Sequence, residues 1–220
     1  MTFAGYETSE FTHDGVCKTV YRKGRGPAVV LIHEVPGITP EALELAERLI
    51  AAGFLVVLPS LFGSDGKPLS NGYAAGQMLR LCVGKEISML AANASSPITA
   101  WLRGLCRKLH AELGGRGVGV IGMCLTGNFV LSTMVEASVV APVLAQPALP
   151  LPVGAQRAAS LHVSEDELVA IKSRAERDDL QVLGLRFSGD SKCPASRFAT
   201  LREAFGSRFL PIEIDSSPGN

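Results

Sequence analysis

The chain has 220 residues, 47% of them hydrophobic, with Lys+Arg and Asp+Glu equal at 21 each and an isoelectric point near 6.9. That length and apolar content suit one α/β domain, expected to run over 1–220, while the balanced charge speaks against a nucleic-acid or membrane-surface partner. Five cysteines (Cys17, Cys82, Cys106, Cys124 and Cys193) without a C-x-x-C pair argue against a disulfide framework or a zinc site. Residues 1–14 carry no basic start followed by an apolar block, and no apolar run reaches the roughly 18 to 20 residues of a membrane span. A cytoplasmic protein is expected.

In chain order, residues 11–23 read as an antiparallel pair turning at His13-Asp14-Gly15. The run from Pro27 to His33 is continuously apolar, as in a strand buried on both faces. Glu34-Val35-Pro36-Gly37 ends it, and Pro40 opens a helix with Leu43, Ala46 and Ile50 on one face and Gly53 at its close. Phe54 to Leu58 is a second buried strand. The segment 60–96 is glycine-rich, and it reads as a loop-rich excursion near the site mouth with short helices near 73–82 and 85–92. Ser96-Pro97 then caps a helix that turns Ile98, Trp101, Leu102, Leu105 and Leu109 inward and leaves Arg103, Arg107 and Lys108 on a solvated face.

Residues 117–127, Gly-Val-Gly-Val-Ile-Gly-Met-Cys-Leu-Thr-Gly, read as strand, sharp turn and helix, with the helix running from Leu125 to about Glu136. A nucleophile elbow has this order: glycine leaves room beside the nucleophile, and the helix start aims free N–H groups at a thiolate or oxyanion. The G-x-S-x-G form has glycine two residues after the nucleophile, where this chain has Thr126. A buried structural cysteine is the plain alternative. An apolar strand over 138–144, a Ser164/Glu167 capping box, a strand over 180–187 ending at Ser188-Gly189-Asp190, a helix opened by Pro194 and a last strand over 208–214 complete the chain.

Alternating strands and helices predict a doubly wound, mainly parallel sheet with helices on both faces, whose ligands bind beyond the strands' carboxyl ends. Glu34, Cys124 and Asp190 all follow strand ends and are expected to converge. Either acid could instead be a plain loop residue, Asp190 making a local turn bond.

His33-Glu34-Val35-Pro36-Gly37, the strand 53–59, Gly122-Met123-Cys124-Leu125 and Phe187-Ser188-Gly189-Asp190 with Cys193-Pro194 together resemble the dienelactone hydrolase family of α/β-hydrolases. The resemblance implies an α/β-hydrolase fold and a cysteine-dependent hydrolase of small lactones or carboxylic esters working through a thioester. It implies Cys124 as nucleophile, Glu34 in its activation, Asp190 orienting a histidine, and the N–H groups of Leu125 and Val35 as the oxyanion hole. The expected partner is a small ester or lactone, with no cofactor and no metal. A silent carbonyl-binding relative and a redox role for Cys124 are the competing readings.

That family brings its histidine on the loop after the last strand. His13, His110 and His162 read as surface residues, and His33 is a weak substitute base because strand alternation turns it away from Glu34. The sequence stops at Asn220, and the expectation is a longer protein in which a histidine follows, together with a helix covering the apolar strip of the sheet left bare without it.

Overall fold

The computed structural model describes residues 3–82, 96–148, 154 and 158–217. Strands Glu7–His13 (β1) and Val16–Lys23 (β2) form an antiparallel pair. Asp14 and Gly15 between them both lie at positive φ, 49° and 76°, the conformation that matches the twist of a two-residue hairpin. β2 lies antiparallel to Leu55–Pro59 (β4), and every later pairing is parallel. With Ala28–Ile32 (β3), Val118–Met123 (β5), Val139–Ala145 (β6), Val182–Phe187 (β7) and Phe209–Ile214 (β8), the eight strands run in the order β1-β2-β4-β3-β5-β6-β7-β8. β3 and β4 are buried at every residue, which is why their sequences run apolar without alternation.

Parallel neighbours need long crossovers, and helices supply them. They are Pro40–Ala51 (α1), Asn71–Cys82 (α2), Pro97–Leu113 (α3), Gly127–Thr133 (α4), Glu165–Arg177 (α5) and Ala195–Phe205 (α6). Leu43 and Ala46 of α1 pack with Leu31, Val56 and Leu58 on one sheet face. Trp101, Phe129, Ile171 and Phe198, from α3 to α6, pack with Val30, Val57, Val120 and Val182 on the other. Two helix layers around one sheet make this the expected α/β-hydrolase fold. On the far strand, Leu210, Ile212 and Ile214 of β8 stay about 39–46% exposed.

Several local expectations change. The helix after the elbow is shorter than its pattern: Cys124–Thr126 form a 3₁₀ turn, and α4 ends at Thr133. Buried Arg174 of α5 explains the early stop, since its guanidinium donates to the carbonyls of Met134, Ala137 and Val139 and so satisfies the turn into β6. The capping box at α5 is half-formed: Ser164 Oγ accepts from the Glu167 amide at 3.2 Å, but the Glu167 carboxylate pairs with Arg103. Arg103 therefore leaves the solvated face assigned to it and also donates to Ser132 O at 2.8 Å. The helix expected near 73–82 starts earlier, at Asn71; the one expected near 85–92 lies outside the described residues.

Trp101 is fully buried, and its Nε1–H donates to Phe11 O at 3.0 Å, tying α3 to the hairpin at the sheet edge. Trp101→Ala is expected to cost about 4 kcal/mol, read as a lower urea midpoint with an unchanged denaturant slope.

Candidate active site

The crevice lies where the chain changes direction across the sheet, beyond the carboxyl ends of β3 and β5. Gly122 admits no side chain, because a Cβ there would stand 2.5 Å from Thr126 O and 2.6 Å from Val130 Cγ2. Cys124 sits at φ 52°, a left-handed conformation that costs a non-glycine residue about 1 kcal/mol or more and persists only when its surroundings hold it. They do: the Ala148 amide donates to Cys124 O at 3.1 Å, and the Leu125 amide donates toward the sulfur.

Glu34 leaves β3 on a tight turn in which its own carbonyl accepts from the Gly37 amide at 2.9 Å. Asp190 leaves β7 on a second turn, where its Oδ1 accepts from the Lys192 amide at 2.8 Å. The local turn bond weighed for Asp190 is thus formed, and the residue faces the crevice as well. Buried Arg186 steadies this loop from below, donating to Ser188 O at 3.1 Å and Cys193 O at 3.0 Å and pairing with Glu213. Glu34, Cys124 and Asp190 line one cavity of about 460 Å³, joined by Gln146, Phe187 and Lys192. A larger apolar hollow of about 830 Å³ opens at the amino ends of β3, β5 and β6 and holds none of the three.

Burial pushes the Cys124 thiol above its ordinary range, and the charges of Glu34 and Asp190 push the same way; the Leu125 amide and Lys192 oppose them. Burial, helped by Glu41, likewise raises Glu34. The expectation that the helix start would favour a thiolate is therefore outweighed: α4 begins only after the 3₁₀ turn, and partial burial with two nearby carboxylates wins. Among the described residues, no three His, Cys, Asp or Glu side chains group as metal ligands.

The sequence matches the dienelactone hydrolase family over residues 14–219. The chain belongs to that family. No curated protein matches it. Among solved structures it is similar to a protein assigned to the dienelactone hydrolases from Klebsiella pneumoniae subsp. pneumoniae MGH 78578 (TM-score 0.67, 18% identity, 96% of this chain and 86% of that one). It also resembles a dienelactone hydrolase-like promiscuous phosphotriesterase from metagenomic libraries (0.61, 18%, 96% and 81%). A third is the dienelactone hydrolase of Anabaena variabilis ATCC 29413 (0.60, 15%, 96% and 86%). At these identities the likeness shows the fold. No helix of the described residues is long and apolar enough to cross a membrane.

In this member of the dienelactone hydrolase family, no histidine stands among the described residues that line the cavity. After β8 the chain runs against the Asp190 loop, with Ser216 Oγ accepting from the Gly189 amide at 2.9 Å, and carries Asp215, Ser216 and Ser217 there. His33 is fully buried: the Leu61 amide donates to its Nε2 at 3.1 Å, so Nδ1 carries the proton and donates to Glu34 O at 2.9 Å. Both nitrogens are committed, which removes it as a substitute base. His162 is not the surface residue expected. It is buried, with Nε2 accepting from Arg197 at 2.8 Å. Buried Arg197 also donates to Asn128 Oδ1 at 2.8 Å, and Asn128 Nδ2 donates to Leu125 O and Ala148 O, both at 2.9 Å. This network ties α6 to the elbow, and nothing in the sequence spacing announces it. Gln146 and Lys192 were missed too, although Gln146 follows β6 as Glu34 follows β3, and the same strand-end rule finds it.

Burial lowers His33 from the ordinary 6.5 to about 4. The unfolded chain then binds the extra proton first, so stability is full above pH 6.5 and falls as pH drops toward 4, by roughly 3 kcal/mol. Urea unfolding across that window measures it, and His33→Gln is expected to remove this portion of the slope.

Proposed function

We propose that this chain is a cysteine-dependent hydrolase of small lactones or carboxylic esters, with Cys124 as nucleophile. The observation carrying this reading is one cavity that holds a left-handed cysteine at a strand-to-helix turn with two carboxylates from separate strand ends. Glu34 takes the thiol proton, and the sulfur attacks the substrate carbonyl. The N–H groups of Leu125 and Val35 receive the oxyanion. The alcohol leaves with the proton held on Glu34, and a thioester remains on Cys124. Water, deprotonated by Glu34, attacks that thioester; the acid is released and the thiol restored. Burial raises Glu34 above the ordinary carboxylate range, which makes it a stronger proton acceptor than an exposed glutamate. Asp190 is the acid that orients a histidine in the family; here it stands at the cavity wall beside Lys192.

Two observations favour a second reading, a silent relative that binds a carbonyl compound without turnover: none of the described residues lining the cavity is a histidine, and the thiol is raised rather than lowered. Steady-state hydrolysis of p-nitrophenyl acetate separates the two. The hydrolase reading expects turnover that Cys124→Ala abolishes and Glu34→Gln lowers by about 10²-fold or more. Turnover that survives Cys124→Ala sinks it. Alkylation of Cys124 by iodoacetamide in a protein without turnover supports the silent reading instead.

A further inference from the structure

Thr126 occupies the place of the second glycine in the G-x-S-x-G form of the elbow. It is fully buried, one turn past the nucleophile. β3 leaves the sheet after Ile32, whose register partner Gly122 is the last on that side of β5. One residue further along β5, the backbone of Met123 meets the threonine hydroxyl instead of a strand. Thr126 Oγ1 accepts from the Met123 amide at 3.0 Å, and its single proton is shared between Met123 O at 2.9 Å and Ile32 O at 3.2 Å. The hydroxyl takes over the rung that the departing strand gives up. A glycine at this position would leave the Met123 N–H to water or to no partner.

The two backbones joined in this way matter for the chemistry. Met123 precedes Cys124 directly, and Ile32 stands two residues before Glu34. His33 between them is pinned at both ring nitrogens, to Glu34 O and to the Leu61 amide. From Ile32 to Glu34 the chain therefore has little freedom, and the hydroxyl contact at Ile32 sets where that rigid piece lies relative to the elbow. We propose that Thr126 is a positioning residue: its hydroxyl staples the carboxyl end of β3 to the elbow and so fixes Glu34 and the Val35 N–H against the Cys124 thiol. The proposal takes Cys124 as the nucleophile and Glu34 as its proton acceptor from the reading above. It differs from a purely structural role because the buried contact joins the two strand ends from which Cys124 and Glu34 project.

The test follows alkylation of Cys124 by iodoacetamide between pH 6 and 10, quantified on the peptide that carries Cys124. Thr126→Val keeps the shape and burial and lacks the hydroxyl; Thr126→Ser keeps the hydroxyl. In the unaltered protein, Glu34→Gln removes the charge and the proton acceptor beside the thiol and is expected to change the alkylation rate at neutral pH by about threefold or more. In Thr126→Val the same Glu34 change is expected to alter the rate by less than about half as much, and in Thr126→Ser by the full amount. Should Thr126→Val lose its helical circular dichroism, Thr126→Ala serves in the same comparison. With p-nitrophenyl acetate, Thr126→Val is expected to lower kcat by about 10- to 100-fold at unchanged KM.

The staple is overturned if Thr126→Val answers the Glu34 change as the unaltered protein does, or if Thr126→Ser behaves like Thr126→Val. It is overturned equally if Glu34→Gln leaves alkylation of the unaltered protein untouched. An unaltered protein that shows the expected alkylation pattern but no esterase turnover removes the hydrolase reading and supports the staple.

Discussion

A thiol and a carboxyl group share one crevice at the ends of β3 and β5, and partial burial governs the charge of both. Removing water from two acids disfavours the charge on each, and their proximity disfavours it again. Burial raises both Cys124 and Glu34; the Glu34 charge adds to the rise of Cys124, and Glu41 adds to that of Glu34. The pair holds protons that exposed side chains of the same kinds would give up more readily. The two groups come from different strand ends, so their separation depends on the frame that holds those ends.

The frame is built largely from buried guanidinium groups. Arg174, Arg186 and Arg197 are each nearly inaccessible, and each spends most of its donors on backbone carbonyls or neutral acceptors of a turn. Arg174 ends the elbow helix, Arg186 sets the Asp190 loop, and Arg197 with Asn128 holds the elbow against α6. A planar fork can satisfy several carbonyls in one loop at once, which no other side chain does. Loops beyond the strand ends have many such carbonyls and few strand partners, so the device suits its position.

Much of this was legible before any coordinates. The Pro27–His33 and Phe54–Leu58 runs read as buried strands, and the capped, one-faced pattern opened by Ser96-Pro97 reads as a helix; the structure has all three. Glu34, Cys124 and Asp190 were found by one rule, that each follows a strand end, and they do line one cavity. Where local pattern misled, a distant partner had intervened. Arg103 read as solvated because its partner Glu167 lies 64 residues on. His162 read as exposed because a loop position says nothing of Arg197, 35 residues away. The elbow helix read as longer because its stop is supplied by another helix.

Periodicity, caps and punctuating glycines are local properties, so the sequence alone determined the strands, the helices, their alternation and hence the mainly parallel sheet. Whether a thiol there is charged, whether His33 can move a proton and what the Thr126 hydroxyl touches are properties of a surrounding volume. Those were decided only by tertiary structure, because desolvation and hydrogen-bond partnership depend on groups that meet in space from opposite ends of the chain.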